Sequence, residues 1–179
     1  MRFRERRGRA RDFWGAAKGV EPETFLGNAL NGVDGKGRLS VPSFVRSQLD
    51  RSSDARIVMI GVHETKPCLT VYGAQYAAFM LADFERRLLK VEESGGDVDE
   101  MHDRAAGIFG STERLSYDSS GRIVLPKTLR ASARIEDLAL FVGMHRYAEL
   151  WNPHLLIEHG GERMRKIAAD QLRDRSGGA

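Results

Sequence analysis

The chain contains two copies of one short motif that pairs a carboxylate with a guanidinium. The first copy reads VDGKGRLSVP over residues 33–42, and the second reads YDSSGRIVLP over residues 117–126. Each has an aspartate four residues before an arginine and a glycine directly before that arginine: Asp34, Gly37 and Arg38, then Asp118, Gly121 and Arg122. An aspartate that opens a turn accepts backbone N–H bonds, and glycine supplies the positive φ that ends it. The motif therefore predicts a tight turn in which the two side chains can pair.

Such a turn has a functional and a structural interpretation. Arginine is the side chain best suited to bidentate bonding with phosphate or with the edge of guanine. A hairpin turn with an exposed ion pair is the structural alternative, and such a pair contributes only about 0–1 kcal/mol. Duplication alone does not decide between them, because it also preserves structural turns. Further cations surround each motif and favour nucleic acid as the ligand: Lys36, Arg46 and Arg51, then Arg114, Lys127, Arg130 and Arg134.

The net charge of the chain lies in its N-terminal segment. Residues 1–24 hold seven cations and four acids, which equals the net charge of +3 of all 179 residues. We expect this Arg- and Gly-rich segment to be a disordered basic arm. Because the rest of the chain is neutral, any binding of DNA by the folded part must use a local patch.

The two motifs belong to a longer repeat. Each is followed by a short helix that opens at a proline, over residues 43–49 and 127–135. A β-branched and aromatic run with a polar turn comes next in each half, and it predicts a hairpin, over residues 56–72 and 138–151. Helical patterns close the halves, at about residues 74–91 and 153–172.

Two similar halves predict one fold of mixed β and α structure. A single half has too little core to be stable alone, so the halves should pack around a pseudo-two-fold axis into one barrel-like sheet with flanking helices. The predicted segments are the arm at 1–24, a first half at 25–93, an acidic linker and helix at 94–110, a second half at 111–173 and a flexible tail at 174–179. The helix after the acidic linker should cover about residues 98–109.

Composition and motifs argue against several other classes of protein. Hydrophobic residues make up 41% of the chain and charged residues 30%, as in soluble globular proteins. No apolar run reaches the roughly 20 residues that span a bilayer, and no export signal is present. The single cysteine, Cys68, is consistent with a reducing cytoplasm and excludes a Cys-rich zinc site within one chain. Neither a phosphate-binding loop nor a catalytic motif is found, so no catalytic residue, cofactor or metal is expected.

The paired motifs, the two-half layout and the LFVG…ELW hairpin resemble the MraZ family over nearly all of residues 25–164. The resemblance implies an AbrB-like, double-split β-barrel. It also implies a bacterial DNA-binding transcriptional regulator, located at the nucleoid, that acts on the cell-division and cell-wall gene cluster containing its own gene. Ring-shaped homo-oligomers, such as octamers, would bind several short direct repeats upstream of that cluster.

The resemblance also implies which residues contact DNA. By position they are the pair Asp34 and Arg38 and the pair Asp118 and Arg122. Lys36 matches a family lysine, whereas Ser120 occupies that position in the second motif and makes its turn less basic. The full candidate set joins these pairs to their glycines and neighbouring cations: Asp34, Lys36, Gly37, Arg38, Arg46, Asp118, Gly121, Arg122, Lys127 and Arg130.

Two other functions remain open at this point. One is an antitoxin-like protein of the same superfamily that binds DNA and a toxin, although such antitoxins usually have one half and a toxin-binding tail. The other is an assembly or ligand-binding scaffold that does not bind DNA. Salt-dependent binding of DNA separates the scaffold from the other two.

Overall fold

A computed structural model describes residues 22–52 and 56–177. Most of the predicted arm therefore lies outside the described residues. The first part of the chain forms β1 (Asn28–Gly32), β2 (Arg38–Ser40), α1 (Ser43–Ser52), β3 (Ile57–Val62), β4 (Leu69–Tyr72) and α2 (Ala74–Ser94). The second part forms α3 (Val98–Phe109), β5 (Glu113–Ser116), β6 (Arg122–Val124), α4 (Lys127–Ser132), β7 (Leu138–Gly143), β8 (Ala148–Trp151), α5 (Pro153–His159) and α6 (Glu162–Gly177).

Most of the predicted elements are confirmed. Both hairpins form, β3 with β4 and β7 with β8, and α1 and α4 start directly after Pro42 and Pro126. The single closing helix predicted at about 153–172 is wrong, because α5 ends at the Gly160–Gly161 pair and α6 then begins. Glycine is poorly tolerated inside helices, which explains this break. Helix α6 continues to Gly177, through most of the segment predicted as a tail.

The strands of each half pair with strands of the other half. One antiparallel sheet has the order β1-β7-β8-β4-β3-β5, and a second sheet consists of β2 and β6. The order is symmetric on exchange of the halves, since β1 pairs with β7 as β5 pairs with β3. Neither sheet closes on itself. The two halves are therefore joined by backbone hydrogen bonds in both sheets.

The small β2–β6 sheet, which we call the central ribbon, has an inner and an outer face. Leu39 pairs with Ile123 in its antiparallel register, and these side chains are 1% and 2% exposed. Successive residues of a strand point to opposite faces, so the flanking residues Arg38, Ser40, Arg122 and Val124 all lie on the exposed side. Burial of the central pair thus decides which side chains reach solvent.

Two hydrophobic clusters lie on opposite faces of β7. Ala139 and Phe141 belong to the main core beneath the central ribbon, whereas Leu140 and Val142 pack with α5 and α6. Since β7 is covered on both sides, its sequence is continuously apolar. Trp151 of β8 lies in the second cluster and is 2% exposed.

A buried carboxylate joins the β3–β4 turn to β8. Glu149 is fully buried, and its Oε1 lies 2.5 Å from Nζ of Lys66. Its Oε2 accepts a hydrogen bond of 2.8 Å from the indole N–H of Trp151. A buried charge is costly without partners, so these contacts keep the turn of the first half against the second half.

The long helix α2 packs differently from the expectation. The apolar spacing of Phe79, Phe84, Leu88 and Val91 is typical of a helix that faces a core, but neither α2 nor α3 has a buried residue. The two helices contact each other, with the rings of Phe84 and Phe109 edge to face at 5.6 Å. Leu81 and Leu89 remain 51% and 57% exposed. No helix in the described ranges is long and apolar enough to cross a membrane.

The central ribbon predicts a clear contrast between two adjacent positions. We expect Ile123→Ala to lower the free energy of unfolding by about 2–4 kcal/mol, because it leaves a cavity under the ribbon. Val124→Ala should change it by no more than about 0.5 kcal/mol, since Val124 is 58% exposed. Urea denaturation of both variants measures the difference, and equal losses would contradict the inward orientation of Ile123.

Candidate nucleic-acid interface

The first motif forms the predicted turn. The N–H of Gly37 donates to the carbonyl oxygen of Asp34 at 2.8 Å, and Gly37 has a φ of +79°. Oδ1 of Asp34 accepts from the N–H groups of Lys36 and Arg38, each at 2.9 Å. Its Oδ2 accepts from Nε of Arg38 at 2.6 Å. One carboxylate therefore holds both the backbone of the turn and the guanidinium.

The second motif repeats this geometry. The N–H of Gly121 donates to the carbonyl of Asp118 at 2.8 Å, and φ of Gly121 is +76°. Oδ1 of Asp118 accepts from the N–H groups of Ser120 and Arg122 at 2.9 Å, and Nε of Arg122 lies 3.2 Å from Oδ2. The aspartate thus has the same structural role in both halves.

These hydrogen bonds favour the ionised carboxylates. The bond from the backbone N–H of Arg38 is the largest cause that lowers the pKa of Asp34, followed by the bond from the Arg38 side chain. The backbone N–H of Arg122 is likewise the largest cause that lowers the pKa of Asp118. Both aspartates are therefore ionised at neutral pH and can orient their arginines.

Each arginine keeps donors available for a ligand. The side chains of Arg38 and Arg122 are 55% and 53% exposed. Each uses its Nε for the aspartate, and the terminal nitrogens make no hydrogen bond to any residue in the described ranges. A guanidinium that is held at Nε and has both terminal nitrogens available suits bidentate contact with phosphate or guanine.

The central ribbon brings the two arginines to one surface. Arg38 pairs with Val124, and Arg122 pairs with Ser40, so the arginines are diagonal neighbours on the outer face. Such neighbours lie about 7–8 Å apart between Cα atoms. The sequence predicted two separate turns, and the pairing of β2 with β6 joins them into one basic surface.

The other predicted residues lie around this surface. Arg46 on α1 is next to the second turn, and Arg130 on α4 is next to the first turn. Lys36 is within the first turn, and Lys127 is exposed at the start of α4. The whole candidate set thus lies on the ribbon, its turns and the helices that follow it.

Sequence reasoning missed one contact beside the second turn. The hydroxyl of Tyr117 donates to Oδ1 of Asp50 on α1. Burial, followed by this bond to Asp50, raises the pKa of Tyr117. The signal was present, because Tyr117 begins the second motif where the first has Val33. Nothing in the sequence indicated that Asp50 of the other half would be its hydrogen-bond partner.

The geometry defines a protein of two intertwined halves that presents paired aspartate–arginine turns on a β-ribbon. A sequence model of the MraZ family, described as "MraZ protein, putative antitoxin-like", matches residues 108–155. The chain is 32% identical over 157 residues to "Transcriptional regulator MraZ" of Rhodospirillum rubrum, covering 88% of this chain and 96% of that protein. It is 31% identical over 160 residues to the protein of the same name from Gluconacetobacter diazotrophicus, covering 87% and 97%. The chain belongs to the MraZ family.

The first turn predicts that alanine is unfavourable at one of its glycines and tolerated at the other. Gly37→Ala should lower the free energy of unfolding by about 1–2 kcal/mol, because positive φ is unfavourable for alanine. Its Cβ would also lie 2.7 Å from the carbonyl oxygen of Leu125. Gly35→Ala is the matched control, since nothing lies within 4 Å of the position of its Cβ. Thermal unfolding measures both, and an unaffected Gly37→Ala would contradict the turn geometry.

The turn aspartates also predict a dependence on pH. Because both folded-state pKa values are lowered from 3.8, ionisation stabilises the turns above that pH, and this contribution is lost as pH falls through the lowered values. We expect carboxyl ¹³C NMR to place the midpoints of Asp34 and Asp118 below 3.8. Arg38→Ala should raise the midpoint of Asp34 only in part, since the backbone bond remains. A midpoint at or above 3.8 in the wild type would contradict the observed hydrogen bonds.

Proposed function

We propose that this protein is a sequence-specific regulator of transcription that binds double-stranded DNA through the outer face of the central ribbon. One observation carries the proposal: two arginines with available donors are diagonal neighbours on the exposed face of a ribbon whose inner face is buried. The names of the relatives support a role in transcription. The protein acts without catalysis, cofactor or metal.

A two-stranded ribbon of this kind can enter the major groove of DNA. That groove admits a two-stranded β-ribbon, and its guanine edges are acceptors for arginine. Arg38 and Arg122 contact base edges or phosphates there, and Asp34 and Asp118 keep the guanidinium groups in the required orientation. Lys36 and Lys127 add contacts to phosphates, which increase affinity without reading sequence.

The architecture supports assignment to the AbrB-like, double-split β-barrel fold. If the chain arose by duplication and fusion of one half, each half is expected to pair its strands with those of the other. We assign the halves to residues 25–93 and 111–173, with the linker and helix 94–110 between them. The exchange of β1 and β5 is the supporting feature.

Ring-shaped homo-oligomers, such as octamers, complete the proposal. One ribbon buries little surface on DNA, so a ring that presents several ribbons to short direct repeats gains affinity through effective concentration. The exposed residues Leu81 and Leu89 of α2 support a contact between subunits. The target is the division and cell-wall gene cluster that contains the protein's own gene, in the cytoplasm at the nucleoid.

Binding of DNA from upstream of that cluster tests this function. We expect Arg38→Ala and Arg122→Ala each to weaken specific binding by about 1–3 kcal/mol, because each removes a bidentate donor. Fluorescence anisotropy in competition with scrambled DNA measures the loss. Arg173→Ala is the matched control, since it removes an exposed cation from α6, outside the central ribbon. It should bind within about twofold of the wild type.

Removal of residues 1–21 completes the comparison. We expect the truncated chain to lose affinity equally for specific and scrambled DNA, because the removed cations contact phosphates. Every variant must sediment as the wild type does, so that loss of the ring is not read as loss of a contact. If the truncation abolishes binding while both arginine variants bind normally, the ribbon is not the reading surface.

A further inference from the structure

The two turns of the central ribbon are each supported from the other half. The N–H of Val41 donates to the carbonyl of Gly121, and the N–H of Leu125 donates to the carbonyl of Gly37, both at 2.8 Å. These bonds are equivalent under exchange of the halves. The glycine of each turn is therefore attached to the residue that leads into the helix of the opposite half.

Arg46 strengthens this attachment at the second turn. Its Nε donates to the carbonyl oxygen of Val41 at 3.0 Å. Its Cδ and Nε lie 2.6 Å from the position that a Cβ of Gly121 would take, and its Cζ lies at 2.7 Å. The guanidinium thus fills the space beneath Gly121 and contacts both sides of the Val41–Gly121 junction.

Arg130 occupies the equivalent place at the first turn. Its Nε lies 3.2 Å and its Cζ 3.5 Å from the position of a Cβ at Gly37. The Nε is buried and has no acceptor among the described residues. A buried Nε beneath the turn is not available to a DNA phosphate, in contrast to the exposed side chain of Arg38.

We propose that Arg46 and Arg130 are positioning residues that act across the halves: Arg130 of the second half sets the first turn and its Arg38, and Arg46 of the first half sets the second turn and its Arg122. This assignment rests on the proposed function for its effect on DNA. It gives these two side chains a role other than the direct contact with DNA that the sequence predicts. Each positioning arginine thus acts on the candidate DNA-contacting arginine of the other half, which is distant from it in sequence.

The proposal predicts a crossed pattern of coupling on DNA. Arg130→Lys should weaken specific binding about tenfold in the wild-type chain, but less than about twofold when Arg38→Ala has already removed the first reading residue. In an Arg122→Ala background the loss should remain about tenfold. Arg46→Lys should show the reverse pattern. Lysine keeps the charge that a phosphate contact needs but lacks the planar group beneath the turn.

Hydrogen exchange without DNA gives a second readout that does not depend on the proposed function. Mass spectrometry follows the segments that contain the two turns, residues 33–39 and 117–123. We expect Arg130→Lys to speed exchange in the first segment and not in the second, and Arg46→Lys to do the opposite. Lys127→Ala is the control on α4, and it should leave exchange in both segments unchanged and weaken DNA binding equally in both backgrounds.

The outcomes separate the two proposals. Equal losses of Arg130→Lys in both arginine backgrounds, or faster exchange in the turn of its own half, would overturn the crossed assignment. Absence of specific binding by every protein, including the wild type, would overturn the proposed function. The exchange pattern would still decide the crossed support in that case, since it needs no DNA.

Discussion

The fold depends on the fact that the strands of each half complete their hydrogen bonding with strands of the other half. The two strands of the central ribbon come from different halves, and so do the strands that pair in β1–β7 and β5–β3. A strand without a partner leaves backbone donors and acceptors unsatisfied, which is costly in a buried region. The surface that carries both aspartate–arginine turns is therefore built from both halves, because its two strands pair across them.

The turns show why a carboxylate of small energetic value can matter for function. An exposed ion pair contributes little to stability, yet Asp34 also accepts two backbone N–H bonds and so links the orientation of Arg38 to the shape of the turn. The buried pair Leu39 and Ile123 then fixes which way the ribbon faces. The inner face of the central ribbon contributes to stability and its outer face carries the arginines. The register of β2 with β6 decides which residues lie on each face.

Local features of this fold could be predicted from the sequence, whereas contacts between the halves could not. The order of aspartate, glycine and arginine specifies a turn through backbone geometry that acts over five residues. The pairing of β2 with β6, and the places of Arg46 and Arg130 beneath opposite turns, depend on which segments meet in space. The pattern of α2 indicated an apolar helix face correctly, but periodicity does not say whether a core, a neighbouring helix or another subunit covers that face.

Fusion of the two halves permits differences that a symmetric pair of identical chains cannot have. The turns share one backbone geometry, but Lys36 in the first corresponds to Ser120 in the second. Tyr117, which donates to Asp50 of α1 beside the second turn, corresponds to Val33 beside the first. Because the aspartate–arginine unit is retained on both sides while its surroundings diverge, the two ends of the ribbon present the same donor in different electrostatic settings. The two directions along the ribbon are therefore chemically distinct.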